Sequence, residues 1–211
     1  MATAVPKKRY TPQEYLALER RAETKSEFFD GEIFAMADVS REHNRIALNL
    51  ASWLNTQFGD GRCEAYMADM RVRVDRTGLY TYPDVIAVCG EPRFEDAEVD
   101  TLLNPTLIVE VLSPSTERYD RGKNFGHYQR IESLREYVLV SQDAVFVERF
   151  TRQDGGWLLT SYLSRDDVVA LESVGIQVPL KDVYARVDVH EGEEGLGHGP
   201  PSDVEAPRNP R

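Results

Sequence analysis

Hydrophobic and polar residues alternate along this chain in blocks that read as a mixed α/β (α+β) fold. Residues 10–19, YTPQEYLALE, open a helix: Thr11 can cap it, Pro12 suits its first position, Glu14 completes a capping box, and Tyr15, Leu16 and Leu18 give it an apolar face. SEFFDGEIFAMAD reads as two short strands around an Asp30-Gly31 turn. A longer helix follows in SREHNRIALNLASWLNTQFGDG. It is capped by Ser40, has Ile46, Leu50, Trp53 and Leu54 at helical spacing, and ends at Gly59 or Gly61. Three strands are then expected, in CEAYMADMRVRVD, LYTYPDVIAVCG and TLLNPTLIVEVLS. The first alternates Met70, Val72 and Val74 with Arg71, Arg73 and Asp75, the mark of a strand covered on one face; the other two are apolar on both faces and belong near a sheet centre. STERYDRGKNFGHYQRIESL predicts a helix capped by Ser115 or Thr116. REYVLVSQD, AVFVERFTR and GGWLLTSYLS predict three more strands.

The pattern has one conspicuous exception. Leu107, Ile108, Val109, Val111 and Leu112 form a continuous apolar run, and Glu110 interrupts it. A carboxylate withdrawn from water costs several kcal/mol unless it is paired, protonated or bound to a metal. Asp84, after Pro83, begins the apolar run of the preceding strand. Neighbouring strands lie about 4.8 Å apart, so two acids at matching heights would converge, and a divalent cation would relieve their repulsion. The alternative is a buried ion pair of Glu110 with Arg71 or Arg73.

Composition narrows the picture. The 211 residues suit one domain with an appended tail, at 41% hydrophobic and 29% charged residues. Residues 1–189 read as the domain. From about residue 190 the chain turns Gly-, Pro- and acid-rich, and residues 190–211 are expected to be a disordered tail. No run approaches the roughly 18 apolar residues of a membrane helix, and no apolar run follows the basic residues at the start, so a cytoplasmic protein is expected. Cys63 and Cys89 are too few for a disulfide framework or a four-ligand zinc site, and both read as buried free thiols. The net charge of −11 argues against a broad basic surface for nucleic acid.

YPDVIAV, then LIVEVLSPST, then DRGKNFGHYQRIESLREYVLV resemble the Uma2 family of restriction-endonuclease-like proteins in the PD-(D/E)XK phosphodiesterase superfamily, over roughly residues 10 to 185. The resemblance implies a restriction-endonuclease-like core: a central mixed sheet flanked by helices, built from helix, three antiparallel-leaning strands, helix and strand. It implies a metal-dependent endonuclease acting on nucleic acid, DNA foremost, as a homodimer with no membrane association. Asp84 and Glu110 would bind Mg²⁺ or Mn²⁺, with a lysine beside them. The superfamily's E-x-K pattern would place that lysine at 112, where this chain has Leu112. A lysine displaced to the following helix can serve, and Lys123 is the candidate, with Asp120 and His127 expected on its face near Glu110. Glu27 and Glu32 flank the hairpin turn where an accessory carboxylate is often placed, and His43 could approach from the second helix. Tyr128 reads as core packing.

Two rivals stand beside the nuclease. A non-catalytic interaction module could retain the fold and pair through exposed strands, which the acidic charge favours. A small-molecule or RNA phosphodiesterase would need no basic footprint. The basic set formed by RRAETK (20–25), Arg71, Arg73, Arg118, Arg121 and Lys123 favours the nuclease if it surrounds one cleft.

Overall fold

The structure is a computed structural model, and residues 8–191 are described. Helix α1 (Pro12–Glu19) carries the full capping box: Glu14 N–H donates to Thr11 Oγ1 and Thr11 N–H to the Glu14 carboxylate. Strands β1 (Ser26–Phe29) and β2 (Glu32–Ala35) form the hairpin. Its Asp30 and Gly31 have φ of 47° and 78°, the double positive φ that the favoured two-residue turn requires. Helix α2 (Arg41–Phe58) is capped by Ser40, whose Oγ accepts from His43 N–H, and ends at Gly59.

Each of the three long runs expected as one strand is two strands in two different sheets. The first divides into β3 (Cys63–Met67) and β4 (Arg71–Val74), the second into β5 (Leu79–Thr81) and β6 (Val85–Cys89), the third into β7 (Thr101–Leu102) and β8 (Leu107–Leu112). Proline explains two of the breaks: Pro83 and Pro105 lack the N–H that a continuous ladder needs. At the first break, Met70 N–H closes a turn onto the Met67 carbonyl. One sheet runs β2-β1-β5-β4-β7; the second runs β11-β10-β9-β8-β6-β3. The latter takes in β9 (Glu136–Ser141), β10 (Val147–Gln153) and β11 (Gly156–Tyr162), as the alternation predicted. Within it β3, β6 and β8 are antiparallel, and β8 and β9 are parallel. A further hairpin, β12 (Val168–Leu171) and β13 (Ile176–Pro179), and the short helix α5 (Leu180–Val183) complete the fold.

The six-stranded sheet is covered on both faces. Leu107, Val109 and Val111 of β8 join Ile46, Leu50 and Leu54 of α2 and Val169, Val178 and Leu180 of the last elements in one cluster. Ile108 and Leu112 join Val72, Val74 and Leu79 of the other sheet and Phe125, Tyr128 and Tyr137 in a second. Alternation along β8 therefore aims Glu110 into this second layer.

Between β8 and β9 lies a helical segment over 117–128: α3 (Glu117–Tyr119), a π-helical turn (Asp120–Asn124) and α4 (Phe125–Tyr128). Neither Ser115 nor Thr116 caps it through its side chain; their hydroxyls bond Ser113 Oγ instead, each at 3.0 Å. Single π turns inside helices recur at functional sites.

Two expectations need correction. Cys63 and Cys89 are not free thiols: they form a disulfide, because the β3–β6 register sets them directly opposite each other. The tail does not begin cleanly at residue 190, since His190 pairs with Ala144 and Glu191 bonds Arg165. Residues 192–211, where the rest of the expected tail falls, lie outside the described residues. Among the described residues no helix is long and apolar enough to cross a membrane.

Candidate active site

Asp84 and Glu110 do converge. In the antiparallel β6–β8 register Val85 faces Val109, and one step further sets Asp84 opposite Glu110. Each carboxylate accepts from a backbone N–H of the facing segment: Asp84 N–H donates to Glu110 Oε2 at 3.2 Å, and Val111 N–H donates to Asp84 Oδ2 at 2.7 Å. The helical segment closes over them from above. Tyr128 O–H donates to Glu110 Oε1 at 2.7 Å, and Asn124 Nδ2 donates to Glu110 Oε1 at 3.3 Å and to Asp120 Oδ1 at 3.1 Å. From the first turn of α2, His43 Nε2 stands 3.2 Å from Asp84 Oδ2.

Asp84, Glu110, Asp120, Asn124 and His43 line a cleft of about 250 Å³ with Glu27 and Asp38, and Tyr128 stands buried behind Glu110. Among the described residues five acids face it (Glu27, Asp38, Asp84, Glu110, Asp120), with His43 and Asn124 but no lysine or arginine. Burial and mutual repulsion both disfavour the charged forms of these acids. Burial, then the nearby Asp84 and Asp120, push the Glu110 carboxyl well above the usual glutamate range. Burial raises Asp120 to about 6 and also lifts Glu27, whose carboxylate accepts from Thr81 Oγ1.

The arginine alternative for Glu110 does not arise. Arg71 reaches Asp100, Thr101 and Tyr82, and Arg73 reaches Glu95 and Asp75. Nor does the basic set surround the cleft. Arg20 pairs with Asp96 and Asp100, Lys25 with Asp69, and Arg121 with Glu117 and Glu148.

Of the remaining candidates, Glu27 and His43 stand at the cleft; Glu32, beside the hairpin turn opposite Phe29, does not line it. Lys123 is displaced from its expected place. Its side chain is exposed and lines an adjoining hollow together with His127, and it does not line the acidic cleft. Helical spacing accounts for this. Asp120, Asn124 and Tyr128 share one face and meet Glu110, while Tyr119, Lys123 and His127 form the neighbouring stripe, one residue round the helix. The sequence reading put Lys123, Asp120 and His127 on a single face and passed over Asn124. The signal it missed was the four-residue recurrence of Asp120, Asn124 and Tyr128, three hydrogen-bonding side chains on the face toward β8.

Residues 12–181 match the Uma2 family, described as "Putative restriction endonuclease". Two proteins of Synechocystis sp., sll1609 and slr1290, each described as "Uncharacterized protein", are 40% identical over 157 residues (74% of this chain, 89% of that one) and 36% identical over 182 residues (86% and 94%). A crystal structure from Anabaena variabilis, described as "a putative nuclease belonging to DUF820", shares the fold with a TM-score of 0.66 at 20% identity, over 82% of this chain and 96% of that one. With the match spanning both sheets and every element from α1 to β13, the chain belongs to the Uma2 family and has its restriction-endonuclease-like fold.

Proposed function

We propose that the protein is a metal-dependent nuclease whose acidic cleft is its active site. The observation that carries this reading is the set of five acids facing one cleft with no lysine or arginine among them. Such a set is short of positive charge, and Mg²⁺ or Mn²⁺ supplies it. The donors suit a hard cation: oxygen ligands from Asp84 and Glu110, with substrate phosphate oxygens and water filling the other positions. Asp84 keeps Oδ1 free of protein donors among the described residues, while its Oδ2 is fixed by Val111 N–H and His43. Among the described residues no group of three or more His, Cys, Asp or Glu side chains is disposed to hold a metal ion, and Mg²⁺ is usually held by one or two carboxylates with water and phosphate oxygens.

A bound Mg²⁺ or Mn²⁺ would orient the scissile phosphate and make a bound water more acidic. The chain's own residues do the rest. Asp84 and Glu110 would hold the cation, and Tyr128 and Asn124 hydrogen-bond the Glu110 carboxylate and fix its orientation. Asp120, whose carboxyl burial raises to about 6, would in its ionised form take the proton of the attacking water. Glu27 borders the cleft as an accessory carboxylate. Lys123, exposed beside the cleft, is a phosphate contact rather than the group that stabilises charge on phosphorus.

A second reading keeps one observation in its favour: five of the basic residues expected at the cleft are held in ion pairs elsewhere. On that reading the fold is a non-catalytic interaction module. Incubating the purified chain with single- and double-stranded DNA and RNA, with Mg²⁺, Mn²⁺ or a chelator, separates the two. The nuclease reading expects cleavage that needs metal and vanishes in Glu110→Gln. An intact fold that cleaves none of the four substrates with either metal favours the interaction module.

A further inference from the structure

The outward face of the helical segment that closes over Glu110 has a chemistry of its own. Asp120, Asn124 and Tyr128 turn inward. The opposite stripe carries Arg118, Gly122, Gly126 and Arg130, with Lys123 alongside, and all five are exposed. Arg118, Lys123 and Arg130 have no ion-pair partner among the described residues. The acids nearest to them in sequence are engaged, Glu117 with Arg121 and Glu132 with Arg76. The segment begins beside the acidic cleft, which Ser115 and Thr116 line. It ends at a second hollow of about 400 Å³, lined by Arg130, Arg152, Gln129 and Gln153 and by no acid of the described residues. Arg152 is fixed there by donating to the carbonyls of Gln129, Ile131 and Leu134. The glycines agree with this picture. Alanine would suit the helix better at both positions, neither has a positive φ, and a Cβ added at either would meet nothing within 4 Å. They keep the ridge between the cations low and open to another backbone.

We propose that this ridge, from Arg118 past Lys123 to Arg130 and Arg152, is the track along which the sugar–phosphate backbone of a nucleic acid leaves the acidic cleft. The inference rests on the nuclease reading of the cleft and adds the surface that holds its substrate. Charge complementarity selects the occupant. The chain carries a net charge of −11 and holds Arg20, Lys25, Arg71, Arg73 and Arg121 in ion pairs. Unpaired cations set in a row beside a cleft of five acids are matched by a row of phosphates. Spacing agrees. Arg118 and Arg130 are at most about 18 Å apart along the helix axis, with Lys123 between them. Each strand of a duplex presents a phosphate about every 3.4 Å of its axis, so several fall within reach of the three side chains. The two surfaces then divide the work. The cleft repels phosphate until a cation fills it, whereas the ridge attracts phosphate without one. Contacts of this kind set the register of a substrate and read no sequence.

The test is equilibrium binding of a fluorescent 20-base-pair DNA duplex to the full chain in Ca²⁺, read by anisotropy over a range of salt concentrations. Arg118→Ala, Lys123→Ala and Arg130→Ala should each make the slope of log affinity against log salt shallower by about 0.9, one phosphate contact on a duplex, and the triple variant by about 2.7. Each single variant should weaken binding about 5- to 10-fold at 0.1 M salt. Gly126→Glu, which sets bulk and negative charge in the middle of the track, should weaken it too. All four positions are exposed, so melting temperatures should stay near that of wild type. Lys181→Ala, on α5 across the six-stranded sheet, removes the same charge from the other side of the molecule and should keep the wild-type slope. A triple variant with the wild-type slope, or a Lys181→Ala slope as shallow as those of the ridge variants, overturns the inference even if metal-dependent cleavage is seen. So does a wild type that binds no duplex, or one that binds poly-glutamate as tightly as DNA, which would make the ridge a site for an acidic polypeptide. Absence of cleavage with the expected slopes overturns the nuclease reading instead and leaves the ridge as a nucleic-acid contact.

Discussion

Two clusters of acids lie a few residues apart in this fold and are treated in opposite ways. Beneath α1, Asp100 accepts from Arg20 and pairs with the buried Arg71 at 2.9 Å, and Asp96 pairs with Arg20 at 2.8 Å. The hydrogen bond from Arg20, with Arg71 beside it, holds the Asp100 carboxyl well below the usual aspartate range. Across Tyr82, which bonds Arg71 and also lines the cleft, the second cluster has no arginine among the described residues, and Glu110 and Asp120 are pushed up. Acids with cationic partners complete a structure. Acids gathered without one leave a charge that a ligand can complete, and that difference is the reason to place function at Asp84 and Glu110 and stability at Asp100.

Substitution should break the two clusters differently. The largest effect expected is on activity: Asp84→Asn or Glu110→Gln should reduce metal-dependent cleavage by about 10³-fold or more, while the metal-free protein melts no lower than wild type, since carboxylate repulsion is relieved. Chromatographic assay of cleavage and calorimetry of the apoprotein check the two halves. Asp100→Ala should do the reverse in the folded state. It strips the buried Arg71 of its carboxylate and should cost about 3 kcal/mol, the low end for a broken buried pair because Asp100 is 31% exposed; a denaturant titration measures it.

A titration of stability against pH sharpens the contrast further. Asp120 has a folded pKa of about 6, above the ordinary value of about 3.9, so the folded state binds more protons than the unfolded one between those pH values. Metal-free protein should therefore lose stability as pH rises from about 4 to about 7, with about 2 kcal/mol of the loss due to Asp120, and Asp120→Asn should reduce the loss by that amount, leaving the part that the raised Glu110 and Glu27 carboxyls contribute. Asp100 is depressed, so its contribution has the opposite sign: present above about pH 4 and lost as pH falls further. Urea unfolding of wild type and Asp120→Asn across this range isolates the first term. The smallest effect belongs to the exposed stripe: Lys123→Ala should change stability by less than about 0.5 kcal/mol in the same assay.

How far the sequence disclosed this arrangement depended on which physical signal each residue carried. Asp84 and Glu110 stood out because an acid in an apolar run is costly without a purpose. Asp120 and Asn124 did not, because they sit on a helical segment whose other faces are also polar, and only the partner strand reveals which face turns inward. Lys123 was drawn to Glu110 by counting along the helix, but a single residue of rotation put Asn124 there instead. Strand existence was readable from alternation, and the splitting of three runs between two sheets was hidden in Pro83 and Pro105, which read as local features, and in the turn from Met67 to Met70, which no proline or glycine marks. The Cys63–Cys89 pairing depends on the β3–β6 register, which no spacing of 26 residues discloses. The closing hairpin β12–β13 carries Val169, Leu171 and Val178 into the core on strands too short to announce themselves.

The account turns on the acidic cleft being a cation site, and calorimetric titration of the purified chain with Mn²⁺ tests that directly. Wild type should bind Mn²⁺ with release of protons as pH is lowered toward 6, since Glu110 and Asp120 hold protons there that the cation displaces. Asp84→Ala and Glu110→Ala should each abolish the binding. Mn²⁺ binding that is unchanged in either variant would contradict the account.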